Sequence, residues 1–419
     1  MRSLRQQLSA ASCALLSVGM APVGTAASTD DVSRLTGSSA SWELDTAYLS
    51  YRESDQRVSV NKAVATLARE NETTSITVSA LHDTMSGASP TGALRGDSPA
   101  STVTSVSGGN SRNRLDHSTS EFSDTRRQLG LGVEQALSPS YTLSYGGVVS
   151  DESDHESLGI NLSLARESDD RLSTVTAGFG WIDDSIYRSD TGGTPEPLGN
   201  VQQPRPFSEG GRSTLDTLFG ISRVLNRLTV VQLNLSLSAS DGYHSDPYKV
   251  ISAADEDGRI VANFHDSRPD SRLRTSVFGK LVHQLRDTQH SLHLGYRLYQ
   301  DDWGIRSHTV DLRYRHRLNR QRYLEPHVRL YRQSAADFYQ RKLSVDAGSN
   351  PLLPDNGLAS ADYRLDAMSS ATLGLKYGVR LTPDTELRLR AEYLDQRFST
   401  AVFDRNSALI LQASFRIAF

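Results

Sequence analysis

Apolar and polar residues take turns along most of this chain with a period of two. Leu158, Ile160, Leu162 and Leu164 alternate with Gly159, Asn161 and Ser163; Val231, Leu233, Leu235 and Leu237 alternate with Gln232, Asn234 and Ser236. Leu373, Leu375, Tyr377, Val379 and Leu381 alternate with Gly374, Lys376, Gly378 and Arg380. Side chains of an extended strand point to opposite faces in turn, so the pattern predicts strands with one greasy and one wet face. About sixteen such segments follow one another, near 41-52, 57-69, 74-83, 125-137, 141-151, 156-166, 172-183, 213-225, 228-240, 272-285, 289-301, 305-318, 322-334, 361-381, 384-397 and 406-419. Each is about ten residues or longer, enough to cross a bilayer core as a tilted strand.

The connections obey a parity. With the first strand rising from the periplasm, the long connections near 84-124, 184-212, 241-271 and 335-360 all fall on odd-to-even junctions. The even-to-odd junctions are short turns such as Glu70-Asn71-Glu72-Thr73, Ser138-Pro139-Ser140, Ser168-Asp169-Asp170, Asp287-Thr288-Gln289, Asn319-Arg320-Gln321 and Thr382-Pro383-Asp384. Long outer loops and short inner turns are the asymmetry of outer-membrane barrels. The predicted fold is therefore all-β: a single transmembrane antiparallel up-and-down β-barrel of about sixteen strands over residues 41-419.

Composition changes this picture little and export signals extend it. Hydrophobic residues make up 37% of the chain and the formal net charge is -4. Beyond the N-terminus there is no run of the roughly eighteen apolar residues a spanning helix requires, whereas a barrel needs grease only at every second position. Arg2 and Arg5, the apolar stretch from Ala10 to Ala21 and the small residues Gly24, Thr25, Ala26 and Ala27 read as a cleaved export signal over 1-27. Residues 28-40 then form a short periplasmic lead-in. Cys13 is the only cysteine, so the mature chain has no thiol nucleophile, thiolate metal site or iron–sulfur ligand. The last segment ends Phe415, Ile417, Phe419 in strict alternation, resembling the signal read by the barrel-assembly machinery. A bacterial outer-membrane location follows, with membrane lipid and lipopolysaccharide as surroundings.

The second half carries longer words: Ser240-Asp241-Gly242-Tyr243, Asp246-Pro247-Tyr248-Lys249, Arg268-Pro269-Asp270-Ser271-Arg272, Asp301-Asp302-Trp303-Gly304-Ile305-Arg306-Ser307-His308-Thr309 and Tyr331-Arg332-Gln333-Ser334-Ala335-Ala336-Asp337-Phe338-Tyr339. With Gly87-Ala88-Ser89-Pro90 and Ala361-Asp362-Tyr363-Arg364-Leu365, they make the chain resemble the outer-membrane family catalogued as domain of unknown function 3570 over nearly its whole mature length. The resemblance implies a Gram-negative outer-membrane protein without an assigned activity. It also implies a periplasmic or lipoprotein partner in a redox or flavin-linked envelope system.

Period two also assigns the inward side chains. After residue 270 the inward set is Arg272, Arg274 and Lys280; Arg297 and Asp301; Asp311, Arg313, Arg315 and Arg317; Glu325, His327 and Arg329; Lys376 and Arg380; Glu386, Arg388, Arg390 and Glu392; and Arg416. A charge facing lipid at mid-membrane costs about 2–4 kcal/mol, so these residues face water or one another. Two arrangements satisfy them: an electropositive pore lining that favours anions, or a lattice of ion pairs that stiffens the wall. At the outer rim, Asp241, Tyr243, Asp246, Tyr248, Asp301, Asp302, Trp303, Asp337, Phe338 and Tyr339 offer carboxylates for a cation and rings for a sugar or flavin. Their ordinary structural role would be an aromatic girdle with carboxylates near lipopolysaccharide cations. Oxygen ligands at this irregular spacing make no EF-hand pattern, and no cofactor or metal is assigned.

Three functions compete. A porin-like channel or transporter for a small, anionic solute comes first; a structural barrel supporting an envelope redox partner comes second. A surface hydrolase is third, with His82-Asp83 and His265-Asp266 as its nearest dyads and His308 and His327 as wall residues. No G-x-S-x-G, H-E-x-x-H or P-loop pattern occurs, so the chain is read as a non-enzyme. The slightly negative charge gives nucleic-acid binding no support.

Overall fold

The computed structural model describes residues 41–54, 57–94, 119–188, 192–202, 210–286 and 290–419. The leader over 1-27, the lead-in over 28-40, the turn 287–289 and most of the 84-124 connection lie outside the described residues.

Each alternating segment forms a strand. The described residues contain β1 (Ser41–Glu53), β2 (Val58–Glu70), β3 (Thr74–Pro90), β4 (Thr119–Ala136), β5 (Tyr141–Asp151), β6 (His155–Glu167), β7 (Ser173–Ile186), β8 (Gly210–Asn226) and β9 (Thr229–Gly242). A short pair follows, β10 (Val250–Ala254) and β11 (Ile260–His265). Then come β12 (Ser271–Gln284), β13 (Ser291–Asp301), β14 (Arg306–Arg317), β15 (Arg322–Gln333), β16 (Met368–Thr382), β17 (Thr385–Phe398) and β18 (Arg405–Ala418). All but β10 and β11 join in one closed antiparallel barrel in which each strand lies beside its neighbour in sequence, β12 beside β9. The sixteen-strand barrel expected from the alternation is the one observed.

Closure is made by β1 and β18, in register from Glu43 opposite Ala418 to Glu53 opposite Ala408. Trp42 and Phe419 extend this seam by exchanging backbone hydrogen bonds of 2.8 and 2.9 Å. A closed sheet leaves no edge, so every backbone group within the membrane can be satisfied internally. No described helix is long and apolar enough to cross a membrane; crossing is the work of the strands. Leu129, Leu131, Leu162, Leu233, Leu273, Leu373 and Leu409 all stand exposed on the outside, as lipid-facing positions require.

The inner turns are tight for a chemical reason. Asn71 accepts from the backbone N–H groups of Thr73 and Thr74 at 3.0 and 2.7 Å, and Asn319 accepts from Gln321 and Arg322 at 2.8 and 2.9 Å. Each asparagine side chain mimics a turn of backbone and reverses the strand in a few residues.

The outer loops depart from expectation in three places. β3 runs on to Pro90 and β4 starts at Thr119, which shortens the first long loop. The 241-271 connection contains the β10–β11 hairpin, whose continuous burial lacks the two-residue alternation of the barrel strands. The strand expected over 361-381 begins only at Met368; Tyr363–Leu365 is a single 3-10 turn held by Asp362, whose carboxylate accepts from the Arg364 N–H at 3.0 Å.

Candidate functional site: the lumen wall and its cap

The inward face of β12–β17 is charged along its length, and neighbouring strands bring opposite charges together. Glu325 takes Arg315 at 2.9 Å and Lys376 at 2.7 Å. His327 places its two ring nitrogens 2.8 Å from Asp311 and 2.8 Å from Glu392. Asp311 is also 3.2 Å from Arg313, and Glu392 is 3.6 Å from Arg390. Toward the seam, Arg388 reaches Asp45 at 2.5 Å and Arg416 reaches Glu43 at 2.7 Å. Near the outer end, Arg272 pairs with Asp301 at 2.5 Å. An ion-pair lattice therefore runs across the wall.

The lattice leaves a cationic surplus. Lys280, Arg297, Arg329 and Arg380 are inward by the same alternation, yet none has a carboxylate within 4.0 Å among the described residues. Arg274 lies next to Ser240, 3.4 Å from its hydroxyl, and Arg317 is directly opposite Tyr323. Tyr323 itself lies over Gly378, with Arg315 stacked on its ring at 4.3 Å and its hydroxyl donating to Glu386 at 3.2 Å.

The adjoining wall is of another kind. In β4–β9 the inward positions include Gly130, Gly132, Gly146, Gly159, Gly178, Gly180 and Gly220, with Ser144, Asn161, Ser163, Asn234, Ser236 and Ser238 among them. Gly132 lies opposite Gly146, and Gly146 opposite Asn161. The lumen thus has a bristling cationic side and a side that is smooth and hydrogen-bonding, with Arg126, Glu134, Asp184, Arg212 and Asp216 also facing inward on it.

Above the lumen the outer loops fold together into a cap. The β10–β11 hairpin is extended by bridges from Asn200 to Phe264, Ala253 to Leu343 and Ser267 to Ala359. Ile251, Ala253, Phe264, Leu343, Ala359 and Ala361 form its apolar core. Trp303, Ile305, Ala336, Phe338 and Leu365 form a second core. Between loops runs an ionic lock, buried at Asp266 and Asp362 and half exposed at Arg364. Arg268 binds Asp266 at 2.6 Å and Asp362 at 2.9 Å, while Arg364 binds Asp362 and Asp246 at 2.5 Å each. Burial works against the Asp362 carboxylate, yet the Arg364, Lys249 and Arg268 charges hold it ionised far below the usual range. Lys249 donates to the Pro90 carbonyl at 2.7 Å, tying in the chain after β3.

This cap is anchored on inward-facing wall residues at the outer ends of the strands. Gln333 donates to the carbonyls of Arg364 and Asp366 at 3.0 and 2.8 Å. Ser240 is 2.7 Å from His244. Burial presses His244 down to about 4, with Arg212, Arg274 and Arg272 nearby opposing its charge despite the Gly242 carbonyl. Trp303, 3% exposed, donates to the Ser271 carbonyl at 2.9 Å, lies under Arg272 at 4.1 Å and meets Phe338 at 5.1 Å.

The model of a protein family of unknown function, DUF3570, matches residues 5–410. The chain belongs to this family. No curated protein matches it. Among solved structures, the DUF3570 barrel is similar to the siderophore receptor PirA from Acinetobacter baumannii, at 11% identity and a TM-score of 0.42 over 87% of this chain and 54% of that one. It is also similar to a bacterial polysaccharide outer membrane secretin, at 8% identity and 0.47 over 90% and 98%, and to the outer membrane protein opdK from Pseudomonas aeruginosa, at 8% identity and 0.38 over 91% and 99%. The chain spans about half the length of the first of these.

The rim residues of the DUF3570 barrel divide into three groups. Trp303, Phe338, Tyr243, Tyr248 and Tyr339 belong to the cap, which corrects the aromatic-girdle expectation: their rings are used to pack loops. Asp246 is in the ionic lock and Asp301 is inside on Arg272. Asp241, Asp302 and Asp337 hold the rim: Asp302 accepts from the Leu273 N–H at 3.0 Å, and the Asp337 N–H donates to the Trp303 carbonyl at 2.9 Å. No rim set gathers as a cation site; the close acidic group among the described residues is Asp124, Glu152 and Asp154, elsewhere on the mouth. Phe415 and Phe419 are exposed on the outside of the seam strand, with Ile417 between them.

The proposed dyads fare differently from the wall. His82 faces outward opposite Ala63, whereas Asp83 faces the lumen and pairs with Lys62 at 3.3 Å. Asp266 gives its carboxylate to Arg268 and to the Asp246 N–H at 2.9 Å. His308 is on the outer face with Tyr296, 2.7 Å away. Sequence reasoning overlooked Glu43 and Asp45, which pair only across the seam; it named Lys249, Asp266, Arg268, Asp362 and Arg364 in dyads and family words without reading them as one lock. A signal existed for the lock: charged and aromatic residues recur together in loop words where ordinary loops are small and polar.

Proposed function

We propose that the DUF3570 barrel passes a small anionic solute across the outer membrane, with its outer mouth shut by the cap at rest. The observation that carries this reading is the surplus of inward arginine and lysine on β12–β17 over the carboxylates that pair with them. A charged wall facing a low-dielectric surround concentrates counter-ions along it. The Gly/Ser/Asn side leaves room beside that wall.

The test is current through purified protein in planar bilayers. The expected result is an anion-selective reversal potential that moves toward zero in K280Q/R297Q/R329Q. On this reading the cap closes the mouth, so the same recording in R268A should show larger currents. A barrel that stays silent even in R268A overturns the reading. A second reading, a non-conducting barrel supporting an envelope partner, draws on the stiff ion-pair lattice and the loop cap. It requires a stoichiometric lipoprotein or periplasmic protein recovered from gently solubilised membranes.

A further inference from the structure

The residues outside the lattice are not scattered. Strand register places them in two adjacent rows across the cationic wall. One row reads Asn234, Phe278, Arg297, Thr309, Tyr331 from β9 to β15. The next reads Gln232, Lys280, Gly295, Asp311, Arg329. Neighbours in a row have Cβ atoms about 4.5–5.5 Å apart and diagonal neighbours about 7–8 Å, so these side chains form one patch. Within it, Lys280, Arg297 and Arg329 have no carboxylate partner among the described residues, since the Asp311 carboxylate is taken by His327 and Arg313. Phe278, an aromatic side chain facing the lumen, lies against Gly295, where a Cβ would meet its ring at 3.4 Å. Arg297 stands 5.5 Å from the same ring.

Arg297 lies over the Phe278 ring, and Asp311 is near enough to act on Lys280 and Arg329, but the three cations share that one carboxylate, which His327 and Arg313 already hold. The patch is thus short of negative charge and holds an aromatic ring with one cation on it, a setting that a further carboxylate carrying a ring would complete. Resting on the anion-passing reading above, we infer that this patch binds small aromatic carboxylates. The carboxylate takes Arg297 with Lys280 and Arg329 on either side, and the ring packs on Phe278. Thr309, Asn234 and Gln232 line the patch as hydrogen-bonding groups for ring hydroxyls.

The probe is calorimetric titration of the detergent-solubilised full chain with benzoate and with acetate, a measurement independent of current. An aromatic contact gives benzoate roughly tenfold tighter binding than acetate. That ratio should fall to about one in F278A and to an intermediate value in F278L, while R297Q/R329Q should weaken both ligands together. Heat-modifiable gel migration reports folding of each variant; if F278A does not fold, F278L and R297Q/R329Q decide. A wild-type ratio of one, or a ratio unchanged by F278L and F278A, overturns the inference. Anion-selective current with a ratio of one leaves the channel reading standing and removes the patch. A silent barrel that retains the ratio does the reverse.

Discussion

Tyr323 shows how single positions shape the lumen. Its ring lies so close to Gly378 that a Cβ there would stand 2.1 Å from it. Arg315 covers the other side of the ring and is itself fixed by Glu325. Gly378→Ala must therefore displace an aromatic held on both faces, an overpacking costing about 1–3 kcal/mol. Gly374→Ala would bring a Cβ to 2.6 Å from Glu392 Cγ and 2.9 Å from the Oε1 that meets His327; an unbranched side chain turns aside more readily than a ring, so it should cost less. The expected order in denaturant midpoints is wild type above G374A above G378A, and equal midpoints for the two variants would show that the ring is free to move. Conduction in G378A should change as well, because Arg315 and Glu386 move with Tyr323. Such close approaches explain why glycine recurs at inward positions of an otherwise charged wall.

At the scale of elements, the cap is loops turned into structure by ion pairs. Asp362 is shared by Arg268 and Arg364, so neutralising it removes two ion pairs while Asp266 and Asp246 keep one arginine each; breaking a fully buried pair costs about 3–5 kcal/mol, and the loss here is smaller because both arginines keep a carboxylate. Asp362→Asn should therefore expose the outer loops to protease and raise conductance without unfolding the barrel, and full protection would place the cap's stability in its apolar cores instead. The mouth also carries a pH response. Asp154, in the turn between β5 and β6, is pushed up from 3.8 to about 6 by burial, with Asp124, Glu152 and Asp246 adding repulsion; the Tyr248 hydroxyl opposes the shift. Glu152 is partly balanced by Arg126 at 3.2 Å and by His155. A carboxyl whose folded pKa lies above its unfolded one binds its proton more tightly when the mouth is closed. The closed form accordingly gains stability as pH falls through about 6 and loses it above. Protease protection of the Tyr248 loop should rise between pH 7.5 and pH 5, and D154N should be protected equally at both.

For the whole molecule, closure is the decisive event, and backbone rather than charge secures it. The pairs Glu43–Arg416 and Asp45–Arg388 bridge the closing strands, but Glu43 and Asp45 are each about a third exposed. Such pairs are worth roughly 0–1 kcal/mol. E43Q/D45N should lower the temperature at which the folded gel band is lost by only a few degrees. Ala47→Pro removes an N–H from a strand paired on both sides, with Ser414 and with Val64, and no central strand tolerates that. Folded barrel should fail to accumulate, and normal accumulation of A47P would mean that the β1–β18 seam is dispensable.

Strand identity, strand faces and the in-out parity of the connections were all legible in the chain, because alternation is a local property that any ten residues display. So was the inward placement of Arg313, Glu325 or Arg388, since lipid excludes charge from the other face. The β10–β11 hairpin was not legible: both of its faces are buried, so the period-two signal vanishes. The 361–367 segment misled in the other direction, since Ala361, Tyr363, Leu365 and Ala367 alternate with Asp362, Arg364 and Asp366 although the chain there makes a turn. Partners such as Arg268 with Asp362 lie far apart in sequence and in different loops, and Glu43 meets Arg416 only after the sheet closes. Nor does local pattern say that a glycine-lined wall continues into an arginine-lined one where β9 meets β12. Which face a residue takes follows from its immediate neighbours; which residue it meets depends on chain folding over long distances, and that only the closed barrel decides.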